Sequence, residues 1–179
     1  MGGLKKMLEY LTPTMYQRSI YDINYNKLKD NGIKCLLFDL DNTCVGYHDN
    51  NPTKELKELF LNLTNMGFRV ILFSNSPSKR LNYFSTLNIE LHPSSRKPFK
   101  KCFQKILEKY QYQAKEVCIM GDQLFTDILG ANRVGINSCL VDPLTNDDLI
   151  FTKISRGGET LIYREFARKK ILKRGKYYE

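Results

Sequence analysis

The chain is predicted to fold as an α/β protein, three layers deep, with a parallel sheet between two layers of helices. Apolar runs short enough to be buried strands recur at about 33–39, 68–73, 117–120 and 137–141. Segments with helical periodicity separate them, and each run empties into a turn rich in Asp, Ser, Asn or Gly.

The elements follow in order. Leu4, Met7, Leu8, Leu11 and Met15 recur at helical spacing around Lys5 and Lys6, which predicts an amphipathic N-terminal helix broken at Pro13. A polar segment and the turn Asp30-Asn31-Gly32 lead into the first strand. Asn51-Pro52-Thr53 opens a helix whose Leu56, Leu59, Phe60, Leu63 and Met66 share a face, and Gly67 ends it. The second strand delivers Ser74-Asn75-Ser76 before Pro77 opens another helix, and Leu87 to Leu91 reads as a short third strand. A helix after Pro98 turns Phe99, Cys102, Phe103, Ile106, Leu107 and Tyr110 inward. Val117-Cys118-Ile119-Met120 ends at Gly121-Asp122, a helix spans about 124–133, and Asn137 to Val141 is the last strand.

With 179 residues, 42% of them hydrophobic and 26% charged, one globular domain is expected, its core at about 33–142 between a helical segment 1–32 and a basic tail 153–179. Nothing in the composition divides it, for there is no repeat, low-complexity tract or linker. No apolar run approaches the roughly 20 residues that span a bilayer. The N-terminus lacks the order of a signal peptide, and Lys6 stands where a myristoylation signal has Ser or Thr, so a cytoplasmic location is expected. Five cysteines without metal-ligand spacing read as small core residues in a reducing compartment, Cys44 beside Thr43 included.

The chemistry gathers first at Asp39-Leu40-Asp41-Asn42-Thr43. Along an extended chain Asp39 and Asp41 point to one side, where two like charges repel unless a cation lies between them or one takes a proton. That pattern points to a metal-assisted nucleophile and acid pair; the plainer alternative is a solvated strand end with Asp41 capping a turn. Ser74-Asn75, Lys97 before a helix, and Gly121-Asp122 with Asp127 also stand at element boundaries. Strands of a parallel sheet end along a common edge, so these groups can meet the two aspartates. A phosphomonoester is a dianion, which an attacking carboxylate repels unless positive charge admits it. Lys97 and a magnesium ion on Asp39 and Asp122 would supply that charge, Ser74 and the amides after it would bind phosphoryl oxygens, and Asp41 would move the leaving-group proton.

These four motifs together resemble those of the haloacid dehalogenase superfamily of phosphohydrolases over about residues 33–142. Ser19-Ile20-Tyr21-Asp22-Ile23, Asp41-Asn42-Thr43 and Gly121-Asp122-Gln123-Leu124-Phe125-Thr126-Asp127 are similar to the YqeG group of its subfamily IIIA phosphatases, itself similar to phosphatidylglycerophosphatases. The resemblance implies a Rossmann-like α/β/α core and an aspartyl-phosphate intermediate, with Asp39 as nucleophile and Asp41 as acid and base. It puts Ser74, Asn75 and Lys97 on the substrate phosphate, Asp39, Asp41 and Asp122 at Mg2+, and Thr43 and Asp127 in support. Phosphatidylglycerophosphate is the implied substrate; a soluble nucleotide or sugar phosphate, or an RNA-binding role for a vestigial core, are the alternatives. Cys44 departs from the aliphatic residue expected after Thr43.

Spacing adds independent information. Only 32 residues separate Asp41 from Ser74 and 22 separate Ser74 from Lys97, and helices fill much of both gaps, so neither can hold a cap domain. An open site admits bulky substrates, and water must then be excluded by the substrate or a partner subunit. The net charge of +9 concentrates in residues 153–179, which hold nine basic and three acidic side chains. Leu161, Ile162, Phe166 and Ile171 fall near one side of a helix carrying Arg164, Arg168, Lys169, Lys170, Lys173 and Arg174. Such a helix either lies on anionic lipid at the inner face of a membrane or packs its apolar side on the sheet, with nucleic acid as a third partner class.

Overall fold

The computed structural model describes residues 2–145 and 150–175, and positions 176–179 of the basic tail lie outside them. Among the described residues six strands form one sheet: β1 (Met15–Gln17), β2 (Cys35–Phe38), β3 (Arg69–Phe73), β4 (Glu90–His92), β5 (Val117–Gly121) and β6 (Asn137–Val141). Their order is β1-β6-β5-β2-β3-β4, and every neighbouring pair is parallel. From β2 the chain builds outward through β3 and β4, then returns to β2's other side for β5 and β6. The crevice above β2 and β5 is therefore the topological switch point, where open α/β sheets bind their ligands.

The helices are α1 (Gly2–Leu11), α2 (Tyr25–Asp30), α3 (Lys54–Asn65), α4 (Ser78–Leu81), α5 (Lys100–Tyr110), α6 (Leu129–Asn132) and α7 (Ile150–Arg168). Strand alternation sorts the core into layers. Leu36 and Phe38 of β2 face Leu56, Phe60 and Leu63 of α3, with the Phe38 and Phe60 rings 4.8 Å apart. Cys35 and Leu37 face the other way, toward Phe103 and Ile106 of α5 and Ala131 of α6. A third group joins Leu8 and Leu11 of α1 to Ile162 and Phe166 of α7 around Leu124, Ile128 and Leu140. Burying each such side chain contributes about 1.5–3 kcal/mol. Thr53 fixes where α3 begins by accepting from the Leu56 amide at 3.1 Å. All five cysteines are buried free thiols.

The three-layer α/β/α architecture matches the expectation, and among the described residues no segment folds apart from the sheet as a cap. Several element readings change. Met15 belongs to β1 rather than to the first helix, and Met7 is 41% exposed while Leu8 and Leu11 face inward; the Leu4 side chain lies outside the described set. The third strand sits at 90–92 rather than 87–91. Phe99 precedes α5 and points outward, 65% exposed. The helix expected over 124–133 is a π-helical turn at Leu124–Ile128 followed by the short α6. In the basic tail Ile162 and Phe166 are buried and Ile171 packs beside them, but Leu161 is exposed. The tail then runs back to the sheet edge, where Arg174 pairs with Asp142 at 2.5 Å and the Gly175 amide donates to Tyr16 O. No helix among the described residues is long and apolar enough to cross a membrane.

Candidate active site

The residues singled out from the sequence meet at the carboxyl ends of β2, β3 and β5. Asp39 directly follows β2, and its amide donates to Met120 O of β5 at 2.9 Å, which ties the two strand ends together. Asn42 then takes a left-handed conformation, φ 63°, which Asn tolerates better than most residues with a β-carbon. Its amide donates to Val45 O at 2.7 Å and closes a tight turn. Thr43, buried in that turn, donates its hydroxyl to Asp122 Oδ1 at 3.1 Å.

Lys97 reaches the centre from the connection between β4 and α5. Its Nζ lies 2.7 Å from Asp39 Oδ1 and 2.6 Å from Asp127 Oδ1, with only 1% of its side chain exposed. Burial opposes the charge on Lys97, but the two carboxylates, Asp127 first, outweigh it and hold the ammonium above its ordinary range. Burial pushes the Asp39 carboxyl up to about 7; Lys97 pulls it back down and Asp127 adds to the rise. Asn75 helps to position the lysine: its Oδ1 accepts from the Lys97 amide at 2.7 Å and its Nδ2 donates to Lys97 O at 3.0 Å. Ser74 is buried, and its hydroxyl accepts from the Ser76 amide at 3.1 Å.

Asp127 owes its place to Gly121. A β-carbon there would lie 2.3 Å from Asp127 Cγ, so only glycine lets the π-helical turn bring this carboxylate beneath the strand end. Asp39, Asp122 and Asp127 each offer an oxygen, all within 4.8 Å of one another, and all three are buried. Ionised and counted with Lys97, these four groups carry a net charge of −2 in a buried space. Uncompensated buried charge is costly, so the donor set fits a divalent metal ion.

The carboxylate of Asp41, assigned to the metal end from sequence, is held elsewhere. Arg80 Nε and Nη2 approach Asp41 Oδ1 at 3.1 and 2.9 Å, and the Ser76 hydroxyl donates to Oδ2 at 2.5 Å. Arg80 also donates to Asn50 Oδ1 and Gly46 O, which fastens the loop after Asp41 over it. Arg80 carries no signal in the sequence, since an arginine in a short polar helix reads as a solvated charge, and Ser76 stands out there only as part of the strand-end run Ser74-Asn75-Ser76. Cys44 lies buried beside the site, and desolvation pushes its thiol well above the ordinary range, so it is an inert packing residue.

A family model described as HAD-hydrolase-like matches residues 94–144. The Bacillus subtilis (strain 168) protein "Probable phosphatase YqeG" is 33% identical over 162 residues, covering 90% of this chain and 94% of that one. Glyceraldehyde 3-phosphate phosphatase of Pyrococcus abyssi (strain GE5 / Orsay) is 28% identical over 92 residues, 46% of this chain and 39% of its own. Among solved structures, the cobalt-bound form of the deoxy-D-mannose-octulosonate 8-phosphate phosphatase YrbI from Haemophilus influenzae shares the fold, with a TM-score of 0.52 and 13% identity over 77% of this chain and 90% of that one. With identity of that degree sustained along nearly the whole of the YqeG protein, and the motifs assembled on one sheet edge, the chain belongs to the YqeG branch of the haloacid dehalogenase-like phosphatases.

Proposed function

We propose that this phosphatase is Mg2+-dependent, works through an aspartyl phosphate on Asp39, and takes phosphatidylglycerophosphate as its substrate. The observation that carries the reading is the buried group of Asp39, Asp122 and Asp127 around the Lys97 ammonium at the switch point of the sheet. Asp39, Asp122 and Asp127 would hold the ion, which when bound neutralises developing charge on the phosphoryl oxygens.

Asp39 attacks phosphorus, and the bond to the leaving oxygen breaks. Lys97 offsets the negative charge that the substrate dianion brings toward the carboxylate. Ser74 and the backbone amides beside it orient the phosphoryl group. Asp41, held by Arg80 and Ser76, would in its protonated form give that proton to the leaving oxygen. It then takes a proton from the water that hydrolyses the aspartyl phosphate and returns phosphate and the resting carboxylate.

The lipid assignment draws support from the resemblance of the motifs to those of phosphatidylglycerophosphatases and from the rim, where the described residues build no cap over the site. The outward cations of α7 would add peripheral attraction to an anionic membrane surface. A second reading, hydrolysis of a small soluble phosphate ester, is favoured by the Pyrococcus relative. A substrate panel assayed with and without anionic vesicles separates the two. Mg2+-stimulated phosphate release from phosphatidylglycerophosphate, well above release from soluble esters, is the expected result. Rapid turnover of soluble metabolites with no effect of vesicles overturns the lipid assignment.

A further inference from the structure

The connection that carries Lys97 has a second face. There a cavity of about 810 Å3 is lined by Arg96, Lys100, Lys101, Lys105, Arg133 and Phe99, together with His92 and small polar residues, and no carboxylate of the described residues lines it. Some cations elsewhere on the surface pair with anions, as Lys34 does with Glu116, Lys109 with Glu90 and Arg168 with Glu165, whereas the cavity gathers several without such a pair on one wall. The side chains of Arg96, Lys100, Lys101 and Lys105 have no such partner among the described residues. Positive charge gathered on one wall repels itself, and a bound anion relieves that repulsion.

The cavity shares its wall with the catalytic group. Arg96 immediately precedes Lys97, and the Ser94 and Ser95 amides donate to Ser76 O and Ser74 O at 2.8 and 2.9 Å. Ser94 and Arg96 hold left-handed conformations, φ 50° and 62°, in which residues with a β-carbon are strained. His92, also on the wall, has a buried Nδ1 without a hydrogen-bond partner among the described residues. Phe99 adds an exposed aromatic face beside the cations. Both ends of the wall, His92 closing β4 and Lys100 opening α5, lie on the same rim of the sheet as Asp39.

We propose that this cavity binds a second anionic group of the substrate, so that the preferred substrate is a phosphomonoester whose leaving group carries another phosphate. The proposal rests on the phosphatase reading above and deepens it. A lipid headgroup and a soluble compound with two phosphates share this chemistry, and Phe99 gives the lipid an apolar surface that the soluble compound leaves unused.

The test measures binding and turnover in parallel for three probes: glycerol 3-phosphate, the deacylated glycerophosphoglycerol phosphate headgroup, and the acylated lipid in vesicles. The wild-type chain is expected to favour both two-phosphate probes over glycerol 3-phosphate by roughly tenfold or more, the scale of one or two charge-assisted contacts. In a Lys100→Glu, Lys105→Glu variant that ratio falls toward one. A further gain for vesicles over the deacylated headgroup identifies the lipid as the source, and equal preference identifies the soluble form. Loss of binding to all three probes in equal proportion, no preference in the wild type, or displacement by an RNA oligonucleotide but not by the headgroup overturns the proposal. Preferential binding of the headgroup without any turnover would instead overturn the phosphatase reading and leave the cavity assignment standing.

Discussion

Asp39 and Asp41 are two residues apart in the chain and live in two different electrostatic regions. Around Asp39 lie two further buried carboxylates and one buried ammonium, and its own carboxyl is driven up to about 7, chiefly by desolvation. Around Asp41 lie a guanidinium and a hydroxyl on a more open rim, with 17% of its side chain exposed. One region is short of positive charge and the other is supplied with it by Arg80. Extended geometry brings the two carboxylates to one side of the chain, but the partners recruited from β3, α4 and the β4–α5 connection decide what each can do. A residue pair that looks symmetrical in sequence is thereby divided into an attacking group and a proton carrier.

The comparison breaks most sharply at Asp39. Asp39→Asn is expected to lower Mg2+-stimulated phosphate release by at least about a thousandfold, because the amide cannot act as nucleophile. Substantial turnover in that variant removes Asp39 from the role. Lys97→Met acts on the same region through charge, leaving three carboxylates to face one another. Breaking a buried pair in this way costs about 3–5 kcal/mol, measured as a lower urea midpoint with an unchanged slope. Added divalent cation is expected to recover part of that loss, and a midpoint that stays put contradicts the charge balance described for the site.

On the other side, Arg80→Ala should leave the attack on phosphorus in place and disturb proton delivery. Alkyl phosphates, whose leaving oxygen needs a proton, are expected to lose roughly tenfold to a hundredfold more turnover than aryl phosphates, which leave readily without one. Arg80→Lys should restore only part of the difference, since an ammonium cannot reproduce the two-pronged contact. Equal losses on both substrate types would make Arg80 a structural residue only.

The smallest expected effect is a dependence of stability on pH. The unfolded chain releases the Asp39 proton near its ordinary 3.8, whereas the folded chain keeps it to about 7. Between those values the folded state binds more protons, so this group's contribution to stability declines as pH rises through the window. Thermal midpoints of the metal-free protein should carry this downward slope, which divalent cation or Asp39→Asn reduces. A slope unchanged by either would mean that another group sets it.

Much of the fold was legible because buried parallel strands announce themselves as apolar runs, and because the polar residues that end them fall at fixed element boundaries. Asp39, Ser74, Lys97, Asp122 and Asp127 were placed near one another by that logic alone. What escaped has physical causes. β1 is a three-residue edge strand, too short for any periodicity and defined only by its pairing with β6. The π-helical turn at Leu124–Ile128 exists because Asp127 folds back over Gly121, a long-range fit that local propensity does not report. Phe99 reads as inward only if its helical face is unbroken, and Met7 and Leu161 share an apolar side with residues that are buried, but tertiary packing leaves all three exposed. Arg80 shows the same limit at the site, since its partner is 39 residues away in sequence.

A covalent bond between phosphorus and Asp39 leaves a trace that borohydride captures during turnover. Reduction converts an aspartyl phosphate to homoserine, which mass spectrometry locates in the peptide. Homoserine at position 39 is expected in the presence of Mg2+ and substrate, with more of it in Asp41→Asn, where hydrolysis of the intermediate is slowed. Full turnover with an unmodified Asp39, or homoserine at another aspartate, would contradict it.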